Sequence, residues 1–344
     1  MGDTDRALQI AFFDAKPYDR EYFGRENDRA YGYEITFFES RLSPENALVT
    51  QGFDVVCIFV NDRLDAQVAE TLKANGVKLV ALRCSGYNNV DFAALGTDIP
   101  VVRVPAYSPH AVAEHALAMM LTLNRKTHRA YFRTRDNNFA LNGLIGFDMY
   151  GKTAGIVGTG NIGRITCEIL RGFGMRVLAY DVYPQKEWAE RAGVEYVELT
   201  RLYRESDIIS LHCPLTPENL YMINKGSISL MKPNVMIVNT GRGKLINTSD
   251  LLEALKERRI GSAALDVYEE ETGYFFEDRS TQILDDDILA RLLTFPNVLV
   301  TSHQAFFTDE ALTNIAQTTL DNIERYVTAG ELPNQVLPEH AGVT

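Results

Sequence analysis

The segment from Lys152 to Asp181, KTAGIVGTGNIGRITCEILRGFGMRVLAYD, constrains the fold of this chain more than any other. An apolar run that is typical of a buried strand leads into the turn GTGNIG, and a helical pattern follows at once. Gly158 permits the tight turn, Gly160 lets the backbone approach a pyrophosphate, and Gly163 lets the helix pack closely on the strand. The free N–H groups at the start of that helix are suited to bind the anion.

A second strand, MRVLAY, ends at Asp181, which lies 18 residues after Gly163. A carboxylate at this position can accept hydrogen bonds from an adenosine ribose, and it repels the 2′-phosphate of NADP. The residues that follow, Val-Tyr-Pro-Gln, include no arginine that could receive such a phosphate. The segment therefore predicts a site for NAD rather than NADP. The residues assigned to its turn and acid are Gly158, Gly160, Asn161, Ile162, Gly163 and Asp181.

The bulk composition favours small-molecule chemistry in the cytoplasm. The 344 residues suit two domains, and 46 acidic against 34 basic residues give a net charge of −12, which opposes binding to nucleic acid or anionic membrane. The first residues lack the basic region of a signal peptide, and no apolar run approaches the length of a membrane span. The four cysteines form no CxxC pair, so we expect reduced thiols and neither a disulfide framework nor a metal site.

Residues 8–104 have the rhythm of a parallel α/β sheet, with short apolar runs between charged helical segments. The predicted strands are LQIAFFD, YEITFFE, DVVCIFV, VKLVALR and VVRV. The polar loop after the fourth strand contains Ser85 and Gly86 and lies at a carboxyl strand end, where open α/β sheets bind ligands. An ordinary βα connection explains this loop equally well.

Pro105 and Pro109 indicate a break between domains, because regular structure does not cross two prolines so close together. A long helix is predicted from Pro109 to Arg135, and its first half is apolar on nearly all faces. Part of its cover is expected from a second subunit, which predicts a homodimer or homotetramer through this region and the arm to Phe147. Sedimentation as a monomer at micromolar concentration would contradict that prediction.

Six strands are predicted after residue 152, namely TAGIVG, RVLAYD, DIISLHC, VMIVNT, GSAALDV and NVLVTSH. Six strands with crossovers complete a doubly wound dinucleotide-binding sheet of the Rossmann type. The last helix, residues 309–330, belongs to no strand of this sheet and is expected to return to the first domain. We therefore predict a Rossmann domain at residues 107–305, inserted into a flavodoxin-like substrate-binding domain that residues 1–106 and 306–344 form.

Polar residues that follow the strands of the second sheet should converge at one edge. Arg242, in NTGRG, can bind a carboxylate through two parallel hydrogen bonds, although a surface arginine is the commoner explanation for a single case. His303 can exchange a proton near neutral pH, and a carboxylate from Glu269 to Glu271 can stabilise its imidazolium form. His115 and His128, on the long helix, are interpreted as structural. Further strand-end residues assigned to the cofactor are His212, Cys213, Pro214, Thr240 and Gly241.

A base or acid, an anion clamp and a nicotinamide site side by side indicate hydride transfer on an alcohol or ketone that bears a carboxylate. The motifs GTGNIG, NTGRG, LDVYEEE and SHQAFFT, with RVPAYSPHAVAEHA, resemble the NAD-dependent D-2-hydroxyacid dehydrogenases. Within that family LRCSGYNNVD, RTRDNNF, ISLHCPLTPEN and HQAFFTDEAL most resemble the fermentative bacterial D-lactate dehydrogenases. The resemblance covers about residues 8–333.

The resemblance implies roles for particular residues. Arg242 resembles the arginine that binds the substrate carboxylate, His303 the acid/base and Glu271 its carboxylate partner. Asp266 resembles a residue near the nicotinamide carboxamide. The substrate-side residues that it implies are Ser85, Gly86, Tyr107 and Phe306.

The implied reaction is the reversible reduction of pyruvate to D-lactate by NADH, with His303 as acid/base. Two alternatives stay open on the sequence. One is a D-2-hydroxyacid dehydrogenase that prefers larger 2-keto acids, since pocket shape decides that preference. The other is a non-enzymatic co-regulator of the same fold that senses NADH.

Overall fold

The structure is a computed structural model that describes residues 6–271 and 273–337. The chain divides into two compact units, and each is described by itself. The first contains the residues up to Ser108 and those from Phe307 onward, and the second contains Pro109–Phe306. Both divisions lie within two residues of the domain limits expected from the sequence. The ends of the predicted first domain, residues 1–5 and 338–344, lie outside the described residues.

The first unit contains a five-stranded parallel sheet in the order β2-β1-β3-β4-β5. Its central strands β3 and β4 are buried at every residue, as expected for strands with helices on both faces. This order is the flavodoxin-like one, so the predicted fold class is confirmed and all five predicted strands are present. The strands are β1 (Gln9–Phe12), β2 (Glu34–Phe37), β3 (Val55–Ile58), β4 (Leu79–Leu82) and β5 (Val101–Val102).

Four α-helices belong to the described part of the first unit. They are α1 (Pro17–Ala30), α2 (Ala66–Ala74), α3 (Phe92–Leu95) and α12 (Asp309–Ala329). Helix α12 packs against α1 and β4, so the prediction that the last helix returns to the first domain is confirmed. Tyr22 Oη donates to Asp309 Oδ1 at 2.8 Å and Tyr31 Oη to Asp321 Oδ1 at 2.5 Å, which fixes the position of α12 along the α1 side of the unit.

The second unit contains a seven-stranded parallel sheet in the order β12-β11-β10-β9-β6-β7-β8. The six predicted strands are all present, but the predicted count of six was wrong. The additional strand, β8, is three residues long and has an exposed glutamate at its centre, which leaves no apolar run to detect. The strands are β6 (Thr153–Val157), β7 (Arg176–Tyr180), β8 (Val194–Tyr196), β9 (Ile208–Leu211), β10 (Met236–Asn239), β11 (Ser262–Leu265) and β12 (Val298–Val300).

The prediction of a single long helix from Pro109 to Arg135 was wrong. The segment forms two helices, which are separated at Lys126, whose φ is 52°. Asn124 causes the break through tertiary contacts: its Nδ2 donates to Phe147 O at 2.8 Å and its Oδ1 accepts from Phe147 N at 2.9 Å. The helices of this unit are α4 (Pro109–Arg125), α5 (Thr127–Arg135), α6 (Asn161–Gly172), α7 (Lys186–Ala192), α8 (Leu199–Glu205), α9 (Lys225–Ile228), α10 (Thr248–Lys256) and α11 (Asp287–Leu293).

Helix α4 packs on α6, β10 and β11 of its own unit, so these elements supply cover for its apolar first half. Within residues 6–271 and 273–337, no helix combines the length and the apolar character that a membrane span requires.

Candidate active site

The turn between β6 and α6 has the geometry that its three glycines predict. Gly158 has a φ of 91°, and a Cβ there would lie 2.6 Å from Cys213 N. A Cβ at Gly163 would lie 1.9 Å from Gly158 O, so no larger residue fits at that position. Apart from its neighbours in the chain, no atom of the described residues lies within 4 Å of the place where a Cβ of Gly160 would stand. The backbone at Gly160, the N-cap of the 12-residue helix α6, is thus open to a phosphate group.

Asp181 is oriented by a short chain of hydrogen bonds. Its Oδ2 accepts from Thr159 N at 2.6 Å and Thr159 Oγ1 at 2.8 Å, and its Oδ1 accepts from Tyr183 N at 2.9 Å. Because the Thr159 proton goes to the carboxylate, Tyr196 Oη donates to Thr159 Oγ1, at 2.7 Å. Burial raises the pKa of Asp181, but these hydrogen bonds and the Arg164 charge outweigh it and lower the pKa below its ordinary value. Asp181 is therefore a fixed negative charge.

The end of β9 is electrically neutral. His212 N donates to Val157 O at 2.8 Å, and burial lowers the pKa of the His212 side chain to about 4. Burial raises the pKa of the Cys213 thiol to about 11, so both side chains are uncharged near neutral pH. Pro214 follows and its carbonyl accepts from Asn219 Nδ2 at 2.7 Å. A neutral lining at this strand end is compatible with the adenine of a dinucleotide and with the neutral dihydronicotinamide ring of NADH.

Asn239 shapes the turn that carries Arg242. Asn239 is fully buried; its Oδ1 accepts from Gly241 N at 3.0 Å and its Nδ2 donates to Arg242 O at 2.9 Å. The Arg242 side chain is exposed and donates only to its neighbour's carbonyl, Gly241 O, at 2.9 Å. In the described part of the chain no carboxylate pairs with this guanidinium, so its fork is available to an anionic ligand.

Two further features of this turn fit a ligand site. Thr240 Oγ1 is buried and has no hydrogen-bond partner among the described residues, which is unusual for a hydroxyl and is explained if a ligand group binds it. A Cβ at Gly243 would lie 2.1 Å from Tyr268 O, so the turn packs directly on the backbone that leads to the acidic run. Tyr268 N in turn donates to Glu271 Oε2 at 3.0 Å. Arg242 and Glu271 are thereby held in neighbouring loops.

His303 and Glu271 form a hydrogen-bonded pair. His303 Nδ1 lies 2.8 Å from Glu271 Oε1, and both side chains are about a quarter exposed. Since an ionised carboxylate can only accept, Nδ1 carries a proton and Nε2 is left to exchange one with a substrate. The Phe276 ring lies 5.8 Å from the imidazole, centroid to centroid. The backbone of His303 has a φ of 54°, a left-handed conformation that is uncommon for a residue with a side chain.

The carboxylate of Asp266 fixes the backbone around His303. Asp266 is fully buried; its Oδ1 accepts from Thr301 Oγ1 at 2.5 Å and Gln304 N at 2.9 Å, and its Oδ2 accepts from Ala305 N at 2.9 Å. His303 N donates to the Asp266 carbonyl at 2.7 Å. The sequence predicted Asp266 as a cofactor residue, whereas in the structure its carboxylate bonds to the strand end that carries the histidine.

His115, on helix α4, extends this cluster. Its Nε2 lies 3.3 Å from Thr301 Oγ1 and 3.4 Å from Asp266 Oδ1. The sequence indicated no role for this residue, because a histidine on an apolar helix is normally structural. Thr159, Tyr196, Asn239 and Thr301 were also missed. Thr159, Asn239 and Thr301 each form a side-chain hydrogen bond with a predicted site residue, and Tyr196 bonds to Thr159. Thr159 and Asn239, in or beside a glycine turn, had a local signal in the sequence, whereas Tyr196 and Thr301 had none.

The substrate residues expected in the first unit lie in two loops. Ser85 O accepts from Arg103 Nη1 at 2.8 Å and Gly86 O accepts from Cys84 Sγ at 3.3 Å. The N–H groups of Ser85 and Gly86 have no acceptor among the described residues, so this pair of donors is available to an anion. Tyr107 O accepts from Asn314 Nδ2 at 2.6 Å. Phe306, in the second unit, is buried.

The arrangement of the second unit, with a glycine turn and acid suited to NAD and a paired histidine and an unpaired arginine at the same sheet edge, is that of a dehydrogenase. Residues 117–305 match the model of the NAD-binding domain of the D-isomer specific 2-hydroxyacid dehydrogenases. D-lactate dehydrogenase of Escherichia coli K12 is 53% identical over 331 residues, which cover 96% of this chain and 100% of that protein.

Solved structures of D-lactate dehydrogenases and a pyruvate reductase are also similar to this chain. The apo-structure of the Escherichia coli D-lactate dehydrogenase superposes with a TM-score of 0.88 at 51% identity and covers 96% of this chain and 100% of its own. The pyruvate reductase of Chlamydomonas reinhardtii superposes with a TM-score of 0.91 at 42% identity, covering 95% of this chain and 98% of its own. The chain therefore belongs to the D-isomer specific 2-hydroxyacid dehydrogenases, which are NAD-dependent oxidoreductases.

Replacing Gly160 with alanine tests whether the open backbone of the glycine turn receives the cofactor. Since no described residue occupies the place of the new methyl group, Gly160→Ala should fold normally. It should weaken NADH binding at least about tenfold, because the methyl group stands where the pyrophosphate approaches. Fluorescence titration with NADH and thermal unfolding measure the two effects.

Gly172→Ala is the matched control, since Gly172 lies at the end of the same helix and also has no atom within 4 Å of its Cβ position. Equal affinities for NADH in the two variants would contradict the assignment of the turn.

Proposed function

We propose that the protein is a D-lactate dehydrogenase that reduces pyruvate with NADH, and that it runs the reverse reaction when lactate and NAD are in excess. The observation that carries the proposal is the 2.8 Å pair of His303 Nδ1 and Glu271 Oε1, in the same unit as an exposed Arg242 that pairs with no carboxylate of the described residues. An acid/base and an anion clamp are what the reduction of a 2-keto acid requires of a protein.

Arg242 is proposed to bind the substrate carboxylate. Its guanidinium offers two parallel N–H groups, and Asn239 fixes the backbone from which it extends. The free N–H groups of Ser85 and Gly86 are proposed as further donors to the substrate, with Tyr107 and Phe306 as its other protein neighbours. These assignments are supported by the family resemblance and by the unsatisfied donors.

His303 is proposed to supply the proton. Bound NADH supplies the hydride that adds to the carbonyl carbon of pyruvate. As negative charge develops on the carbonyl oxygen, the proton on His303 Nε2 passes to that oxygen and gives the hydroxyl of lactate. Glu271 accepts from His303 Nδ1 and so fixes the ring orientation that leaves Nε2 for the substrate. In the oxidation of lactate, neutral His303 takes the hydroxyl proton through the same nitrogen.

Apart from Asp266, whose carboxylate accepts from residues 301–305, the cofactor residues assigned from the sequence are proposed to keep that role, and the geometry of two of them supports it. Asp181 is fixed by Thr159 and Tyr183, and its lowered pKa keeps it ionised. An ionised carboxylate there is suited to accept from the ribose hydroxyls of NAD and opposes a 2′-phosphate. Thr240, with its unpartnered buried hydroxyl, is a candidate for a direct contact to the cofactor.

The proposal extends to assembly and location. We propose a homodimer or homotetramer through the second unit, because α5 and the arm after it expose large apolar side chains. These are Tyr131, Phe132, Phe139, Leu141, Ile145 and Tyr150, which are between 55% and 85% exposed. A fermentative role in the cytoplasm is supported by the resemblance and by four free cysteines, which suit a reducing compartment.

Rates with a series of 2-keto acids test the proposed function. We expect pyruvate to give the highest kcat/KM with NADH among pyruvate, 2-ketobutyrate, 2-ketoisocaproate and phenylpyruvate, and chiral analysis to identify the product as D-lactate. NADPH should be at least about 100-fold less effective, since Asp181 is a like charge beside its 2′-phosphate. A higher kcat/KM with a larger keto acid, or NADH binding without turnover, would contradict the proposal.

Substitution of Arg242 by lysine tests the carboxylate clamp. Lysine keeps the charge but loses the fork, so Arg242→Lys should raise the KM for pyruvate about 10- to 100-fold while NADH affinity stays the same. Initial-rate kinetics at saturating NADH measure this. Arg204→Lys, at an exposed position on α8, is the control. If Arg242→Lys left the KM for pyruvate unchanged, another cation would bind the carboxylate.

A further inference from the structure

We propose that His115 and Thr301 are positioning residues for the catalytic histidine and that they act through the buried carboxylate of Asp266. The proposal rests on the proposed role of His303 as acid/base. Both side chains contact Asp266, which bonds to the backbone of residues 303–305. One of them, His115, lies on helix α4, 188 residues before His303 in the chain.

The backbone of His303 requires support from its surroundings. Its φ of 54° lies in the left-handed region, which residues with a side chain adopt infrequently, although histidine, asparagine and aspartate adopt it more often than the others. A residue keeps such a conformation only where neighbouring groups determine it. Here the neighbours are the N–H groups of His303, Gln304 and Ala305, all of which donate to Asp266 at 2.7 to 2.9 Å.

The direction of each hydrogen bond in the cluster follows from the chemistry of Asp266. An ionised carboxylate has no proton to give, so the hydroxyl of Thr301 donates to Asp266 Oδ1, at 2.5 Å. The Thr301 oxygen can then only accept from His115 Nε2, at 3.3 Å, which places a proton on that nitrogen. The same nitrogen lies 3.4 Å from Asp266 Oδ1, so His115 donates to both Thr301 and Asp266, and Thr301 donates to Asp266.

The cluster keeps Asp266 ionised although the residue is fully buried. Burial raises the pKa of Asp266, but hydrogen bonds from His115, Thr301 and the Ala305 N–H outweigh it, and the pKa lies below its ordinary value. An ionised carboxylate can accept from all of these donors at once, whereas a protonated one presents fewer acceptor sites. Without the hydrogen bonds from His115 and Thr301, less would oppose the increase in the pKa of Asp266 that burial causes.

Loss of the His115 and Thr301 hydrogen bonds would change the position of the His303 imidazole through the backbone. His303 Nδ1 must lie 2.8 Å from Glu271 Oε1, and this geometry depends on the direction in which the left-handed residue projects its side chain. If the N–H groups of Gln304 and Ala305 lose their acceptor, the backbone of His303 can leave the left-handed conformation. The imidazole then moves away from Glu271. Such a displacement affects proton transfer more than cofactor binding.

Steady-state kinetics of paired variants tests the proposal. His115→Leu and Thr301→Val each remove a donor, and we expect both to lower kcat for pyruvate at least about tenfold, with the KM for NADH within about twofold of the parent. His115→Gln and Thr301→Ser restore a donor at the same place and should recover kcat to within about threefold of the parent. His128→Leu, on the neighbouring helix α5, removes a different partly buried histidine and is the control.

The outcomes separate a positioning role from a structural one. Reduced melting temperatures with an unchanged kcat in Thr301→Val would overturn the proposal, as would a raised KM for NADH with an unchanged kcat. Failure of the conservative variants to restore kcat would also overturn it. If His115→Leu does not fold, the comparison of Thr301→Val with Thr301→Ser still tests the proposal. His303→Ala is measured alongside: if it retains parental turnover, the proposed function fails and the positioning role fails with it, whereas if it loses turnover and the His115 and Thr301 variants keep theirs, the positioning role alone fails.

Discussion

The buried carboxylate of Asp266 determines the geometry of the strand end on which the chemistry depends. It accepts from Thr301 Oγ1, Gln304 N and Ala305 N, and the carbonyl of the same residue accepts from His303 N. Together these bonds fix a histidine in a left-handed conformation. The imidazole can then meet Glu271, whose other oxygen accepts from Tyr268 N. A buried charge, normally costly, is stabilised here by donors from residues 301–305 and by His115 of helix α4.

The parallel sheet of the second unit explains why these groups lie together. All seven strands run in the same direction, so the residues that follow β6, β7, β9, β10, β11 and β12 emerge at one edge. The glycine turn and Asp181 are at the β6 and β7 positions of that edge, and Arg242, Glu271 and His303 follow β10, β11 and β12. With the proposed cofactor residues on one half of the edge and the proposed acid/base and anion clamp on the other half, the parts of a hydride-transfer site lie side by side.

Features that depend on local sequence could be predicted. The glycines at 158, 160 and 163 are dictated by a turn whose demands are local, and the strands of the sheet interior were found because they are continuously apolar. Arg242, His303 and the acidic run from Glu269 to Glu271 were identified because each follows such a strand, and the family resemblance then selected Glu271 within that run. The structure places each of them where the pattern indicated, and the pairing of His303 with Glu271 is observed directly.

Features that depend on distant contacts could not be predicted. The break at Lys126 arises because Asn124 bonds to Phe147, and no pattern in the helix itself marks it. Strand β8 is short and has a charged centre, yet its Tyr196 orients Thr159 and thereby Asp181. His115 lies on an apolar helix whose spacing shows only that it packs. Its contact with Asp266 joins residues 151 positions apart and becomes visible only in the folded unit.

The central claim is that His303 and Glu271 act as one unit that supplies the proton, and a double-mutant cycle on kcat tests it most directly. His303→Gln, Glu271→Gln and the double variant are compared with the parent at saturating pyruvate and NADH. If Glu271 acts through His303, its replacement lowers kcat in the parent but changes kcat little in the His303→Gln background. Additive losses, with Glu271→Gln equally harmful in both backgrounds, would contradict the account.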